Sequence, residues 1–228
     1  HLSRSLKPPP PHARLRPDRP AMPSFFVEAI RRRKEVGAVA ASGKHLAEAM
    51  TSSIGSDRDE SRVLEVGAGT GAFTNHILHR LGPGGTADIV ELNPKFCHKL
   101  RDKVVGPWSS NVKDRSAKVI EGCIEEVDLK PDYTNIICGL PFNSFAPRDA
   151  NRILSQLVSL LAPNGTLVYF EYAGLPGLRR TFPGPWQRKA KEHNRFIQEL
   201  SHSMSEKRIL IFRNFPPAWA VSLRAKGG

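Results

Sequence analysis

Val63-Leu64-Glu65-Val66-Gly67-Ala68-Gly69-Thr70-Gly71-Ala72-Phe73 decides the fold of this 228-residue chain. The apolar run of Val63, Leu64 and Val66 stops at Gly67, and glycine then returns at every second position. A short apolar run of this kind suits a strand buried on both faces of a parallel sheet. Glycines directly after it let the backbone turn sharply and approach a bound molecule closely. Twenty positions past Gly71, a second strand-like run from Ala87 to Val90 ends on Glu91. An acid at the tip of the neighbouring strand accepts hydrogen bonds from the two hydroxyls of a ribose. Together the two features predict an adenosine-containing cofactor; the glycines alone would mark only a tight strand-to-helix turn in a doubly wound protein.

The spacing narrows the cofactor. A dinucleotide site needs G-x-G-x-x-G, which sets a helix N-terminus on a pyrophosphate. Here the order is Gly67-x-Gly69-x-Gly71, with Glu65 two residues ahead of the first glycine. A carboxylate there repels a diphosphate and suits a ligand carrying an ammonium and a sulfonium. The pattern resembles the first motif of class I S-adenosylmethionine-dependent methyltransferases. The resemblance implies S-adenosylmethionine as cofactor and S-adenosylhomocysteine as product. It assigns Glu65, Gly67, Ala68, Gly69, Thr70 and Gly71 to the donor loop and Glu91 and Leu92 to the ribose.

Bulk properties fit a soluble domain with one full core. The chain is 39% hydrophobic and 25% charged, ordinary values for a globular protein. No apolar stretch approaches the roughly 18 residues needed to cross a bilayer, and no signal peptide is evident. Three widely spaced cysteines, Cys97, Cys123 and Cys138, read as reduced thiols in a cytosolic protein. The scattered histidines form no metal-ligand spacing, so no metal is expected. The net charge of +12 is uneven: residues 51–173 carry 13 Lys/Arg and 15 Asp/Glu, whereas residues 174–228 carry 11 and 3. A near-neutral centre with basic flanks points to a polyanionic partner, either a lipid surface or a nucleic acid.

Along the chain, residues 1–21 hold six prolines and five basic residues and read as a disordered Pro/Arg-rich arm. Residues 22–52 read as an N-terminal amphipathic helix and a segment covering the cofactor, and residues 53–228 as the methyltransferase domain. The helix runs from Ser24 as N-cap through Phe25 and Phe26 to the cluster Arg31 to Lys34. Aromatic residues at one end and cations at the other suit an anionic membrane interface, or else a terminal helix that packs its phenylalanines on the core. A short helix over Lys44–Met50 is expected to lie over the cofactor cleft. Strands are predicted at 62–66, 87–91, 117–121, 135–138, 166–172, 208–212 and 218–223, with helices at 72–81, 95–105 and 148–161. Alternating strands and helices predict an α/β, Rossmann-like fold: a seven-stranded, mostly parallel sheet with an antiparallel last strand. The short connection Asn214-Phe215-Pro216-Pro217 can join only antiparallel neighbours.

The fourth strand leads into Cys138-Gly139-Leu140-Pro141-Phe142-Asn143-Ser144-Phe145. In open α/β sheets ligands lie beyond the carboxyl ends of strands, so this loop faces the methyl group. Amine methyltransferases acting on nucleic acids carry Asn-Leu-Pro-Tyr or Asn-Pro-Pro-Tyr here. Gly139 stands where their Asn holds a planar base amine, and Phe142 replaces their Tyr. Gly-Leu-Pro followed by an aromatic and Ser-Phe resembles instead the bacterial phospholipid N-methyltransferases, which methylate phosphatidylethanolamine, and a related group that methylates ornithine lipids. Val36 to Ser42, Tyr169 to Tyr172 and Asn214 to Ala218 are similar to that family as well, so the likeness covers about residues 24 to 224. One position departs: the family has Gly-Asp-Ala after its third strand, and this chain has Gly122-Cys123-Ile124.

The resemblance implies an S-adenosylmethionine-dependent N-methyltransferase acting on the amine headgroup of a membrane lipid. Ser42, Gly122, Cys123, Ile124 and Cys138 then join the cofactor site, and Gly139, Leu140, Pro141, Arg179 and Arg180 hold substrate. Tyr172 and Phe142 are the catalytic candidates: Tyr172 to take or orient the amine proton, both rings to surround the methylated cation. Tyr172 also reads as a core aromatic, and Arg179 and Arg180 as part of a solvated loop. The expected partner is an anionic membrane surface, met by the Phe25 to Lys34 helix and the basic 174–195 loop. That places a monomer in the cytoplasm, on the inner face of a bacterial plasma membrane, with nucleic acid not expected. The alternatives are an rRNA adenine dimethyltransferase-like enzyme and a non-catalytic membrane-binding module.

Overall fold

The computed structural model of the chain describes residues 43–55, 60–142, 145–173, 204–214 and 217–225. The chain divides into two compact units, His1–Val36 and Gly37–Gly228, and every described residue belongs to the second. The Pro/Arg-rich arm, the 24–34 helix, Ser42 and the 174–195 loop with Arg179 and Arg180 lie outside the described residues.

The sheet is built from β1 (Arg62–Val66), β2 (Thr86–Glu91), β3 (Ser116–Glu121), β4 (Tyr133–Cys138), β5 (Leu161–Tyr172), β6 (Met204–Ile211) and β7 (Ala218–Ala225). Their order is β3-β2-β1-β4-β5-β7-β6. β1 to β5 pair in parallel, and β7 runs antiparallel to both β5 and β6. This is the predicted seven-stranded sheet with its antiparallel last strand. β1 and β4 sit at its centre, which is why Val63, Leu64, Ile136 and Ile137 are fully buried. β5 pairs regularly only from Thr166; the register slips between Tyr133 and Asn135, so Ala162 to Gly165 form a bulge where the sequence reads as a turn.

Helices α1 (Lys44–Thr51), α2 (Ala72–Arg80), α3 (Pro94–Leu100), α4 (Gly106–Asn111) and α5 (Pro147–Ser159) connect or cover the strands. α1 buries Leu46, Ala47, Met50 and Thr51, the spacing of one helix face, against α2 and the β5–β7 part of the sheet. Leu46, Ala47 and Met50 belong to one core cluster with Phe73, Ile77, Val168, Phe170, Ala218 and Ala220. α5 turns Ala150, Ile153, Leu154 and Leu157 inward at i, i+3, i+4 and i+7. Ile153, Leu154 and Leu157 are each fully buried, worth roughly 1.5–3 kcal/mol apiece relative to exposure. Between α3 and α4 the chain takes one π-helical stretch, Arg101–Val105, so the helix expected to stop at Val105 continues to Asn111. Val104 and Val105 are thereby kept in the core.

Candidate functional site

The carboxyl ends of β1, β2 and β4 converge on one place. Gly67 leaves β1 with its N–H donating to the Val90 carbonyl at 2.9 Å. Gly69 and Gly71 take φ of 59° and 93°, a conformation that disfavours other residues. A Cβ on Gly71 would press on Leu100 and Val104 at 3.1 and 3.2 Å, whereas one on Gly69 would meet open space. The loop is thus packed behind Gly71 and open at Gly69. Ala68 is buried and Thr70 exposed on its outer turn.

The two landmarks of the sequence touch. Glu91 is 4% exposed; its Oε2 accepts from the Gly69 N–H at 2.7 Å and its Oε1 from the Asn93 N–H at 2.8 Å. Each carboxylate oxygen offers two acceptor directions, so one on each is left for the hydroxyls of a ribose. Leu92, next in the chain, is half-buried. Behind the strand the Cys97 thiol donates to the Glu91 carbonyl at 3.2 Å. Burial, with Glu91 and Glu121 nearby, pushes that thiol up to about 11. Glu65 is 1% exposed, and its Oε2 accepts from the Thr74 hydroxyl at 2.7 Å. Thr74, fully buried in the first turn of α2, orients that carboxyl. It was absent from the sequence reading, where a threonine in a helix carries no mark of its partner.

Around the adenine side, the Gly122 N–H donates to the Glu91 carbonyl at 3.0 Å, which clamps the β3 loop to the end of β2. Cys123 and Ile124 are 3% and 2% exposed. Burial pushes the Cys123 thiol up, so the position presents an apolar, uncharged surface where a carboxylate would be an acceptor. Gln156 of α5 donates to the Ile124 carbonyl at 2.8 Å and fixes this loop.

The substrate loop is crowded against the donor loop. Cys138, fully buried, ends β4 in register with Val66 and Tyr169. The Gly139 N–H donates to the Val66 carbonyl at 2.8 Å. A Cβ on Gly139 would stand 2.7 Å from the Gly67 carbonyl oxygen, closer than real Cβ contacts come. Leu140 and Pro141 are buried, and Phe142 is 3% exposed. The Phe142 ring meets Tyr169 edge-on at 5.4 Å and Phe145 at 6.2 Å, so it is a fixed wall.

Tyr172, half-buried at the end of β5, packs its ring edge-on against Phe170 at 5.2 Å. Its alternate neighbours point to the other face of the sheet. There Glu171 pairs with Arg208 at 2.9 Å, and Arg208 also reaches Glu206 at 2.8 Å. Burial raises the Glu171 carboxyl above the ordinary range; Arg208 offsets part of that rise and Glu206 adds to it. The Tyr169 phenol is raised by burial and, secondarily, by Glu171. Among the described residues, no group of three His, Cys, Asp or Glu could hold a metal ion. Among them too, no helix is long and apolar enough to cross a membrane.

The residues present fit S-adenosylmethionine: open space over Gly69, an oriented carboxylate at Glu91, the buried carboxyl of Glu65 and an apolar wall at Cys123 and Ile124. A family model described as a methyltransferase domain matches residues 63–165, from β1 into β5. An ornithine lipid N-methyltransferase of Singulisphaera acidiphila is 28% identical over 164 residues, covering 71% of this chain and 74% of that protein. A probable ribosomal RNA small subunit methyltransferase A of Haloarcula marismortui is 36% identical over 105 residues, covering 46% of this chain and 34% of that protein. The fold resembles the N-methyltransferase NodS of Bradyrhizobium japonicum, solved with S-adenosyl-L-homocysteine: TM-score 0.59, 14% identity, 89% of this chain and 99% of that one. It also resembles the O-methyltransferase TomG of Streptomyces achromogenes: TM-score 0.61, 12% identity, 90% and 92% covered. With the donor loop, its tethered acid and the matched domain in agreement, the chain carries a methyltransferase domain that uses S-adenosylmethionine.

Proposed function

We propose that the enzyme methylates the amine headgroup of a membrane lipid, either phosphatidylethanolamine and its methylated forms or an ornithine lipid. The observation that carries this reading is the 2.7 Å approach at Gly139. The loop has no room for an asparagine in this backbone, so it lacks the side-chain acceptor that a planar base amine needs. The Singulisphaera relative supports it, because the match extends over 74% of a protein named for a lipid amine. The Haloarcula relative gives the second reading, an RNA adenine methyltransferase, and there the match spans about a third of the relative's length.

S-adenosylmethionine supplies an electrophilic methyl group on a sulfonium. The protein's part is to bring a neutral amine in line with it at near-contact distance. The bond from the Gly139 N–H to the Val66 carbonyl holds the substrate and donor loops together, which fixes that approach. Phe142, braced by Tyr169 and Phe145, forms one wall. Tyr172 at the rim is the candidate to orient the amine through its phenol while the ammonium proton leaves to water, and its ring the candidate to meet the growing cation. Arg179 and Arg180, which follow β5 in the chain, are the candidates for the lipid phosphate or carboxylate. On this reading the enzyme works as a peripheral protein on the inner face of a bacterial plasma membrane.

The test is label transfer from methyl-labelled S-adenosylmethionine. Vesicles containing phosphatidylethanolamine or ornithine lipid are expected to take up label, and bulk rRNA is not. Label in rRNA with none in either lipid replaces this reading with the second one.

A further inference from the structure

Among the described residues the exposed large apolar side chains are Ile209 and Phe212, at 37% and 76% exposure. The first lies on β6, and the second directly follows it. β7 is antiparallel to both β5 and β6, so β6 runs parallel to β5. Phe212 therefore stands at the same end of the sheet as Tyr172 and Gly139, at the end of the edge strand two positions out from β5.

The turn that carries it is firmly held. Asn214 is 3% exposed, and its Oδ1 accepts from the Gly43 N–H at 2.9 Å. The Asn214 N–H donates to Ile211, and the Ala173 N–H donates to the Pro217 carbonyl at 2.7 Å. A single exposed phenylalanine is unremarkable on most surfaces. This one extends from an anchored turn, beside an exposed Arg213, at the end of the sheet that carries a site read as taking a lipid. The charges around it agree: Arg208 is balanced by Glu171 and Glu206, and Lys207 and Arg213 are exposed cations.

We propose that the β6–β7 turn docks on an anionic bilayer: Phe212 enters the interfacial layer and Arg213 lies over lipid phosphates, setting the site mouth against the membrane. Aromatic rings settle at the headgroup level, and a cation beside the surface adds attraction to anionic lipid. The inference rests on the lipid reading of the site. It adds a membrane contact at the end of the sheet that carries the site, separate from the helix and loop expected from the sequence.

The experiment uses the full chain with Phe212→Asp and Phe212→Trp. Binding is read by co-sedimentation with vesicles of phosphatidylethanolamine and phosphatidylglycerol. Methylation is read on the same vesicles and on phosphatidylethanolamine dispersed in detergent micelles. Phe212→Asp is expected to weaken vesicle binding about tenfold, a carboxylate replacing a buried ring. The vesicle rate should fall in step while the micelle rate stays within about twofold of wild type, and Phe212→Trp should keep both. Unchanged vesicle binding in Phe212→Asp overturns the proposal, as does an equal loss on vesicles and micelles. A wild-type dimer that Phe212→Asp disperses overturns it in favour of self-association through the β6 edge. If wild type methylates neither lipid preparation, the lipid reading of the site fails, and sedimentation still decides the docking surface by itself.

Discussion

At the scale of single residues, Gly139 is where sequence and geometry bear on each other most directly. Its Cβ position lies 2.7 Å from a backbone oxygen, so nothing flexible can yield. Gly139→Ala should cost about 1–3 kcal/mol as overpacking, which in a domain of this size lowers Tm by roughly 3–10 °C. Because the yielding group is the Gly67 carbonyl, affinity for S-adenosylhomocysteine should fall too, read by titration calorimetry. An unchanged Tm would mean the two loops do not approach so closely. Glu171 makes a second prediction, of pH dependence. Its carboxyl is raised by burial first, so the native state holds that proton to higher pH than the unfolded chain does. Its contribution is therefore fully present below the unfolded value near 4.3 and is lost as pH rises through the folded one. Glu171→Gln removes the titration and leaves Arg208 its contact with Glu206. Urea denaturation across about pH 4 to 7 should show the stability difference moving in favour of the glutamine variant as pH rises. A difference that stays flat across that range removes Glu171 as the source.

At the scale of elements, the central strands were legible and the β6 edge was not, for a physical reason. β1, β2 and β4 are buried on both faces, so their sequences are apolar runs ended by glycine or an acid, and periodicity finds them. β6 is an edge strand with five consecutive exposed residues from Ser205, so its first four residues show no alternation to read. The stretch after Val105 misleads because Gly106-Pro107 reads as a stop. In the fold the wider π turn of Arg101–Val105, with the Gly106 N–H donating to the Arg101 carbonyl, leads straight into α4 with Pro107 in its first turn. The donor loop and Glu91 carry marks in the sequence, a glycine spacing and an acid ending a strand; the Thr74 hydroxyl and the Asn214 side chain carry none for the partners they meet, Glu65 and Gly43. Asn214 stands out in the sequence, yet its hydrogen bond is to Gly43, 171 positions away. It ties the start of α1, which has no side-chain cap of its own, to the β6–β7 turn. Asn214→Ala should leave the half-buried Gly43 N–H without that acceptor, at roughly 0.5–1.5 kcal/mol. The effect should be local first: hydrogen exchange is expected to speed up across residues 43–51 while the β1 and β4 amides keep their protection. Uniform acceleration throughout the sheet would contradict this local role.

At the scale of the whole molecule, the charge is divided as the chemistry would divide it. Residues 51–173, which hold the donor loop, Glu91 and the substrate loop, carry 13 basic and 15 acidic side chains. The excess cations lie before and after them, 11 against 3 in residues 174–228. A sulfonium-bearing cofactor is thus received by a nearly neutral centre with buried carboxyls at Glu65 and Glu91, and on the proposed lipid reading the basic flanks attract an anionic surface. These two interactions should answer differently to salt. Exposed charges are screened beyond about 10 Å at 0.1 M ionic strength, and buried ones far less. Raising salt from about 0.05 M to 0.5 M should therefore weaken co-sedimentation with anionic vesicles by tenfold or more. Over the same range the affinity for S-adenosylhomocysteine should change by less than about twofold, since its contacts at Gly69 and Glu91 are enclosed. Vesicle binding that ignores salt would assign the membrane contact to apolar insertion alone and leave the basic flanks without that role.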